Sequence, residues 1–137
     1  MTVSSESDVD LAALIDRIPE LVNGDAALVR RGRLTSVDLM LEVGAIPYYL
    51  SVRDGQVAGC QRGPLVMRSW SFAVRGSGQA WQKFWQLLPP PRFHDIFALA
   101  KFDEFRIEGD FRPLMTNLLY FKELIASPRL LAARTQR

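Results

Sequence analysis

Between Val37 and Val74 the apolar side chains recur at every second position, and always on one side of each run. Val37, Leu39, Leu41 and Val43 alternate with Asp38, Met40 and Glu42. Tyr48, Leu50 and Val52 alternate with Tyr49, Ser51 and Arg53, and Trp70, Phe72 and Val74 alternate with Ser69, Ser71, Ala73 and Arg75. Successive side chains leave a strand on opposite faces, so a period of two means half-buried strands. Strands of a parallel sheet wrapped by helices on both faces read as apolar throughout, so the pattern argues against that architecture. An antiparallel or mixed sheet with helices on one face fits it. Asp54-Gly55 marks a tight hairpin, because a type I′ turn needs two residues with positive φ. Gln56 to Arg62 is the weaker returning strand, broken by Gly63-Pro64, and Phe105 and Ile107 alternate with Arg106 and Glu108 in a short last strand.

Around these strands the period changes to that of a helix. Leu11, Leu14, Ile15 and Ile18 recur at helical spacing, with Ser7 as a cap and Asp10 three positions on. Pro19 is expected to disturb that helix and Asn23-Gly24 to end it. Ser77 caps a helix carrying Ala80, Trp81, Phe84, Trp85 and Leu88, stopped by Pro89, Pro90 and Pro91. A helix from about Phe93 to Lys101 places Ile96, Phe97 and Ala100 on one face. Asp110 caps the last helix, Leu114 to Ile125, with Pro113 tolerated in its first turn and Ser127-Pro128 closing it. Runs of strands and helices without strict alternation give an α+β class. At 137 residues the expectation is one domain over 1–137, with a core over about 9–127, a leader before it and a tail after it.

Chemistry is sparse. Seventeen basic residues stand against fifteen acidic ones, mostly interspersed, which is not the basic stripe of a nucleic-acid binder. Arg30, Arg31 and Arg33 form the one tight basic cluster, read as a solvated loop, and Arg129, Arg134 and Arg137 read as a frayed basic end. The single cysteine, Cys60, forbids an internal disulfide and fits a reducing compartment. No signal peptide is visible, and no apolar run approaches the roughly 20 residues that span a bilayer. The expectation is a soluble cytoplasmic protein. His94 is the only histidine and no G-x-S-x-G elbow surrounds a serine, so neither a triad nor a zinc site can be assembled. Asp103, Glu104, Glu108 and Asp110 read as a solvated acidic surface. Arg75-Gly76-Ser77-Gly78 is a weak anion-binding turn that also serves as an ordinary helix start. No catalytic residue, metal or cofactor is expected.

What stands out is the placement of large apolar side chains. Trp70, Phe72, Trp81, Phe84, Trp85, Phe93 and Phe97 lie close together in sequence. The last helix is apolar nearly all round, interrupted only by Thr116, Asn117, Lys122 and Glu123. A surface helix normally keeps a polar face. This helix is central to the core, or lines an apolar cavity, or covers a partner, and periodicity does not separate the three.

Phe72-Ala73-Val74-Arg75-Gly76-Ser77 with Trp81 after it, then Phe105-Arg106-Ile107-Glu108-Gly109-Asp110, resemble in kind and order the sterol carrier protein 2 (SCP2)-like family. Asp54-Gly55-Gln56-Val57 is similar to that family's early hairpin. The resemblance covers roughly Val37 to Ile125. It implies a twisted, mostly antiparallel sheet of about five strands with helices on one face and an apolar tunnel between them. It also implies a non-catalytic carrier of sterols, fatty acyl chains or other lipids. Pro89 to Pro91 and Lys101 to Glu104 depart from the family pattern at the tunnel mouth. The final Thr135-Gln136-Arg137 is not a peroxisomal tripeptide, which points to a bacterial stand-alone version.

The inward faces then name the ligand-binding set: Trp70 and Phe72 on a strand, Trp81, Phe84 and Trp85 on the following helix, Phe97, which with Phe93 is one of two candidates to gate the mouth, and Met115, Leu118 and Leu119 on the last helix. The partner is an apolar small-molecule lipid, with no nucleic acid and at most transient membrane contact. The alternative is an accessory role in which the apolar helix dimerises or docks on a partner enzyme.

Overall fold

The structure is a computed structural model and describes residues 11–86 and 88–131. Strands β1 (Val37–Val43), β2 (Ile46–Arg53), β3 (Gln56–Arg62), β4 (Phe72–Gly76) and β5 (Phe105–Gly109) form one sheet in the order β3-β2-β1-β4-β5. β1 and β2 are antiparallel, with Val37 opposite Val52 and Val43 opposite Ile46. β2 pairs antiparallel with β3, slipping register between Ser51 and Val52. β4 runs parallel to β1 and antiparallel to β5, so the sheet is mixed. The β2–β3 turn is the one the sequence predicts: Asp54 has φ 54° and Gly55 φ 82°.

The helices are α1 (Ile18–Asn23), α2 (Ala26–Arg31), α3 (Gly78–Phe84), α4 (Ile96–Lys101), α5 (Phe111–Thr116) and α6 (Leu118–Ala126), with further helical residues at 11–16. Asp25, Ser77, Asp95 and Asp110 each cap a helix by accepting a backbone N–H of its first turn, from Leu28, Ala80, Phe97 and Arg112. Their apolar sides meet the sheet face carrying Leu39, Leu41, Val43, Tyr48, Leu50, Val52, Phe72 and Val74 in one continuous core. Burying each such Val, Leu, Ile or Phe side chain contributes about 1.5–3 kcal/mol.

The helical run is interrupted at Arg17, as Pro19 predicts, and the proline then sits in the first turn of α1, where its missing N–H is harmless. Several local expectations are revised. Arg30 and Arg31 are not in a loop; they close α2, where cations suit the negative helix end. α3 ends at Phe84, ahead of the prolines, with Leu88 exposed. The last helix is two helices meeting at Asn117, whose side-chain amide donates to the Pro113 carbonyl. Arg129 is not a frayed end. It donates to the carbonyls of Phe84 (2.7 Å), His94 (2.9 Å) and Phe93 (3.2 Å), and its guanidinium lies 4.4 Å from the Phe84 ring centre. The Ser7 cap, Arg134 and Arg137 lie outside the described residues.

The outer sheet face is not wholly polar. Residues 63–71 carry the chain from β3, at one edge, across β2 and β1 to β4. Arg68 donates to Ser51 and Gln61 and stands over the Tyr49 ring at 5.6 Å. Trp70 packs on Met40, Tyr49 and Ala73, a second, smaller apolar cluster.

Tyr120 of α6 ties the helical layer to the β2–β3 turn. Its hydroxyl donates to the Gly55 carbonyl at 2.6 Å, and its ring lies against Gly32, where a Cβ would overlap it. Burial pushes the Tyr120 phenol up to about 12 and, with help from Asp16, the Cys60 thiol up to about 11. Both groups are held neutral in the folded chain. Their contribution is complete below the ordinary thiol and phenol values and is lost as pH rises through the raised ones. Urea unfolding at stepped pH is expected to show stability falling above about pH 9 and more steeply above about pH 10. Tyr120→Phe is expected to cost about 1–2 kcal/mol at neutral pH, because the Gly55 carbonyl loses its donor, and to remove the steeper part of the alkaline fall.

Candidate functional site: a cleft at the end of the parallel strand pair

β1 and β4 end together, at Val43 and Gly76, and β5 begins beside them at Phe105. Here lies an open cleft of about 860 Å³. Ligand pockets span about 300–1,000 Å³. Its apolar lining comes from Phe97 and Ala100 of α4, Phe105 and Ile107 of β5, and Phe111 at the start of α5. Its polar rim comes from Glu42, Arg75, Ser77, Asp103, Glu104 and Arg106.

Local chain geometry positions each group. α4 gives way to β5 through a turn in which Asp103 takes φ 61° and the Glu104 N–H donates to the Leu99 carbonyl at 2.9 Å. That turn delivers Phe105 onto Gly76. A Cβ at Gly76 would stand 2.5 Å from the Phe105 ring and 3.2 Å from Trp81 Nε1, so only glycine leaves room. The Phe105 ring centre is 4.4 Å from that of Trp81 and 5.6 Å from that of Phe84. Phe105 therefore separates the cleft from the aromatic part of the core.

The charges on the rim are coupled. Arg75 donates through Nε to Glu108 at 2.7 Å and through Nη1 to Glu42 at 3.0 Å. Arg106, directly across the β4–β5 ladder from Arg75, reaches the other oxygen of Glu108 at 3.3 Å. Two like charges face each other there, and Glu108 bridges them while Glu42 supplies a second negative charge to Arg75. The hydrogen bond from Arg75 holds the Glu108 carboxyl below the usual carboxylate range, and the same bond raises Arg75. Glu108 is thus part of an ion-paired chain rather than a solvated surface acid.

Of the residues named from the sequence, Phe97 lines the cleft. Phe72, Trp81, Phe84 and Trp85 come together in the closed core behind it, each 3 % exposed or less. Both indoles are pinned: Trp81 Nε1 donates to the Glu42 carbonyl at 2.9 Å and Trp85 Nε1 to that of Ile125 at 2.8 Å. Leu118 is half-buried against the same core, while Met115 and Leu119 are 53 % and 63 % exposed. Trp70 is on the other side of the sheet, because β4 begins at Phe72 and the alternation does not extend back to residue 70. Phe105 and Ile107 were legible as the apolar positions of a strand, Phe111 was not singled out, and none of the three was legible as a cleft residue. That role follows from β5 being an edge strand, which pattern does not reveal.

A second hollow of about 320 Å³ contains His94, Asp95, Lys122 and Arg129. Lys122 is paired with Asp95 at 3.2 Å, and Arg129 is committed to backbone carbonyls. His94 is exposed. No helix among the described residues is long and apolar enough to cross a membrane.

No family model matches the sequence, and neither does any curated protein. Solved structures do. A sterol carrier protein 2 crystal structure is similar over 85% of this chain and 94% of its own, with TM-score 0.67 and 15% identity. A conserved hypothetical protein from Thermus thermophilus is similar over 88% of this chain and 87% of its own, with TM-score 0.61 and 14% identity. The UbiJ-SCP2 ubiquinone synthesis protein is similar over 90% of this chain and 93% of its own, with TM-score 0.56 and 17% identity. The chain has the SCP2-like fold. At these identities the likeness establishes architecture, and ligand and residue roles have to be argued from the site.

In this SCP2-like sheet, Arg75 is the one cation that links β1 to β5 across β4 among the described residues. Arg75→Gln is expected to lower stability by about 1–3 kcal/mol, since it leaves the partly buried Glu42 without its ion-pair partner and Glu108 with only the longer contact to Arg106. Glu108 gains stability from Arg75 only while ionised, so that part is present above the ordinary glutamate range and lost as pH falls through and below it. Urea unfolding between neutral and acid pH is expected to show a smaller acid loss in the variant than in the parent.

Proposed function

We propose that the protein is a non-catalytic binder and carrier of an apolar lipid, taken up through the cleft at the end of β1, β4 and β5. The observation that carries this reading is the open cleft with an apolar floor of Phe97, Ala100, Phe105, Ile107 and Phe111 in an SCP2-like fold. The similar structures named as sterol carrier proteins support a lipid as the ligand class. An acyl or isoprenoid tail lies along this floor. Rotation of Phe105 lets it reach Trp81, Phe84 and Trp85, with Phe72 and Leu118 beyond them. This path corresponds to the tunnel the resemblance implies, and a tail that enters it has to displace core packing. Eight buried methylenes contribute about 6 kcal/mol, which is a Kd of tens of micromolar before association entropy is subtracted, so a longer tail is needed for micromolar binding. The rim performs no reaction in this reading. Its charged groups hold the mouth in shape.

Exposed Met115 and Leu119 are the observation that favours the accessory alternative, in which this face meets a second copy or a partner. Light scattering of the purified chain decides that point, with a monomer at working concentration arguing against the second copy.

The direct test is a ¹⁵N NMR titration with a long-chain alcohol. Saturable shifts are expected at the amides of Phe97, Ala100, Phe105, Ile107 and Phe111. Phe97→Ala is expected to weaken binding about tenfold, the worth of the apolar area it removes, with little change in melting temperature because Phe97 is only half-buried. Shifts confined to Met115 and Leu119, or none at all, would refute the cleft as the lipid site.

A further inference from the structure

The described rim has no uncommitted cation. The cleft is lined by two guanidiniums, and both are already taken: Arg75 by Glu42 and Glu108, and Arg106 by Glu108. Lys101 and Arg92 lie over the ring of Phe102, which does not line the cleft. Arg112 is held by Asp110 at 2.9 Å. The carboxylates are not all compensated. Asp103 and Glu104 make no ion pair among the described residues, and both line the cleft. Asp103 is exposed at a left-handed turn position, and Glu104 is half-buried beside the Phe105 floor. Counting Glu108, which ties the two guanidiniums together, four carboxylates stand against two cations around this mouth.

Resting on the reading of the cleft as the lipid site, we propose that it selects a lipid whose polar end is uncharged and donates a hydrogen bond, an alcohol or phenol, over a fatty acid with the same tail. A tail on the apolar floor leaves its polar end at the rim. A hydroxyl there donates to a free carboxylate oxygen, a charge-assisted hydrogen bond. A carboxylate there finds no cation to pair with unless it displaces Glu108 from Arg75, and it meets two like charges where water is partly excluded. Repulsion of that kind is worth roughly tenfold in affinity. Ser77, whose oxygen accepts the Ala80 N–H at the start of α3, keeps its O–H free to donate to an alcohol oxygen as well as to a carboxylate, and it supplies no counter-charge to the acid.

The test compares dodecan-1-ol and dodecanoate, below their aggregation limits and at neutral pH, on the full chain by NMR titration. The alcohol is expected to bind about tenfold more tightly than the acid. In the Asp103→Asn, Glu104→Gln double variant the gap is expected to shrink to about twofold, through gain of acid binding. Both replacements are isosteric, and asparagine tolerates the left-handed conformation at position 103. Glu104→Lys, a second and independent variant, is expected to bind the acid about tenfold more tightly than the parent does. If the alcohol binds saturably but the acid binds as well or better, or if the gap survives both variants unchanged, the selectivity is overturned and the lipid-binding reading stands. If neither ligand binds, both fall together.

Discussion

Strand β1 is hydrogen-bonded antiparallel to β2 and parallel to β4, and that single parallel pairing shapes the rest of the molecule. A hairpin cannot join parallel neighbours, so the chain leaves β3 at one edge and crosses the sheet before β4 can begin. The crossing segment covers the outer face over Met40 and Tyr49, which leaves the inner face for the helices. The same pairing makes β1 and β4 end side by side, and the Gly44 N–H closes the ladder on the Gly76 carbonyl at 2.8 Å. β5, running the other way, starts there. Three strand ends and the turn after α4 therefore meet at one place, and the cleft is the space between them.

At that place two kinds of interaction do different jobs. Apolar contact forms the cleft floor, but most large apolar side chains here are used up inside the protein. Trp81 lies 4.8 Å from Trp85, 4.4 Å from Phe105 and 5.8 Å from Phe84 between ring centres, and both indole N–H groups are satisfied by backbone carbonyls. Opening this cluster costs packing that a ligand tail has to replace, so a tail gains most from the floor that is already exposed. The ion-paired chain Glu42–Arg75–Glu108–Arg106 supplies the shape. It cross-links three neighbouring strands on the outer face and keeps the rim from collapsing onto the floor.

The fold was readable where one physical rule decided the matter. Period-two alternation gave β1, β2 and β5, the Asp54-Gly55 pair gave its turn, and Ser77 and Asp110 gave their caps. The reading slipped where two rules compete. Trp70 continues the alternation of Phe72 and Val74 in sequence, but the strand begins after it, and the tryptophan belongs to the crossing segment. The apolar last stretch, which pattern left open between core, cavity and interface, divides at Asn117. Tyr120, Phe121, Leu124 and Ile125 are core, and Met115 and Leu119 face solvent. The cleft was the least legible feature, because its residues come from α4, β5 and α5 and share a surface only through strand order. Phe97 alone of the named set lines it, since the large aromatics that attract attention in a sequence are the ones the core claims first.

This division explains how the architecture persists at 14–17% identity to similar structures. The inner face needs only apolar side chains of about the right volume at alternate positions, a requirement many sequences meet. The cleft depends on particular residues: glycine at 76 so that Phe105 can lie flat, a residue tolerant of φ 61° at 103, and glutamate at 108 between two arginines. Asp103 lies in a turn and Glu108 on the outer sheet face, where substitution leaves the core untouched, whereas Gly76 is held by Phe105 and Trp81. An SCP2-like sheet can therefore keep its shape while the residues around this cleft change charge.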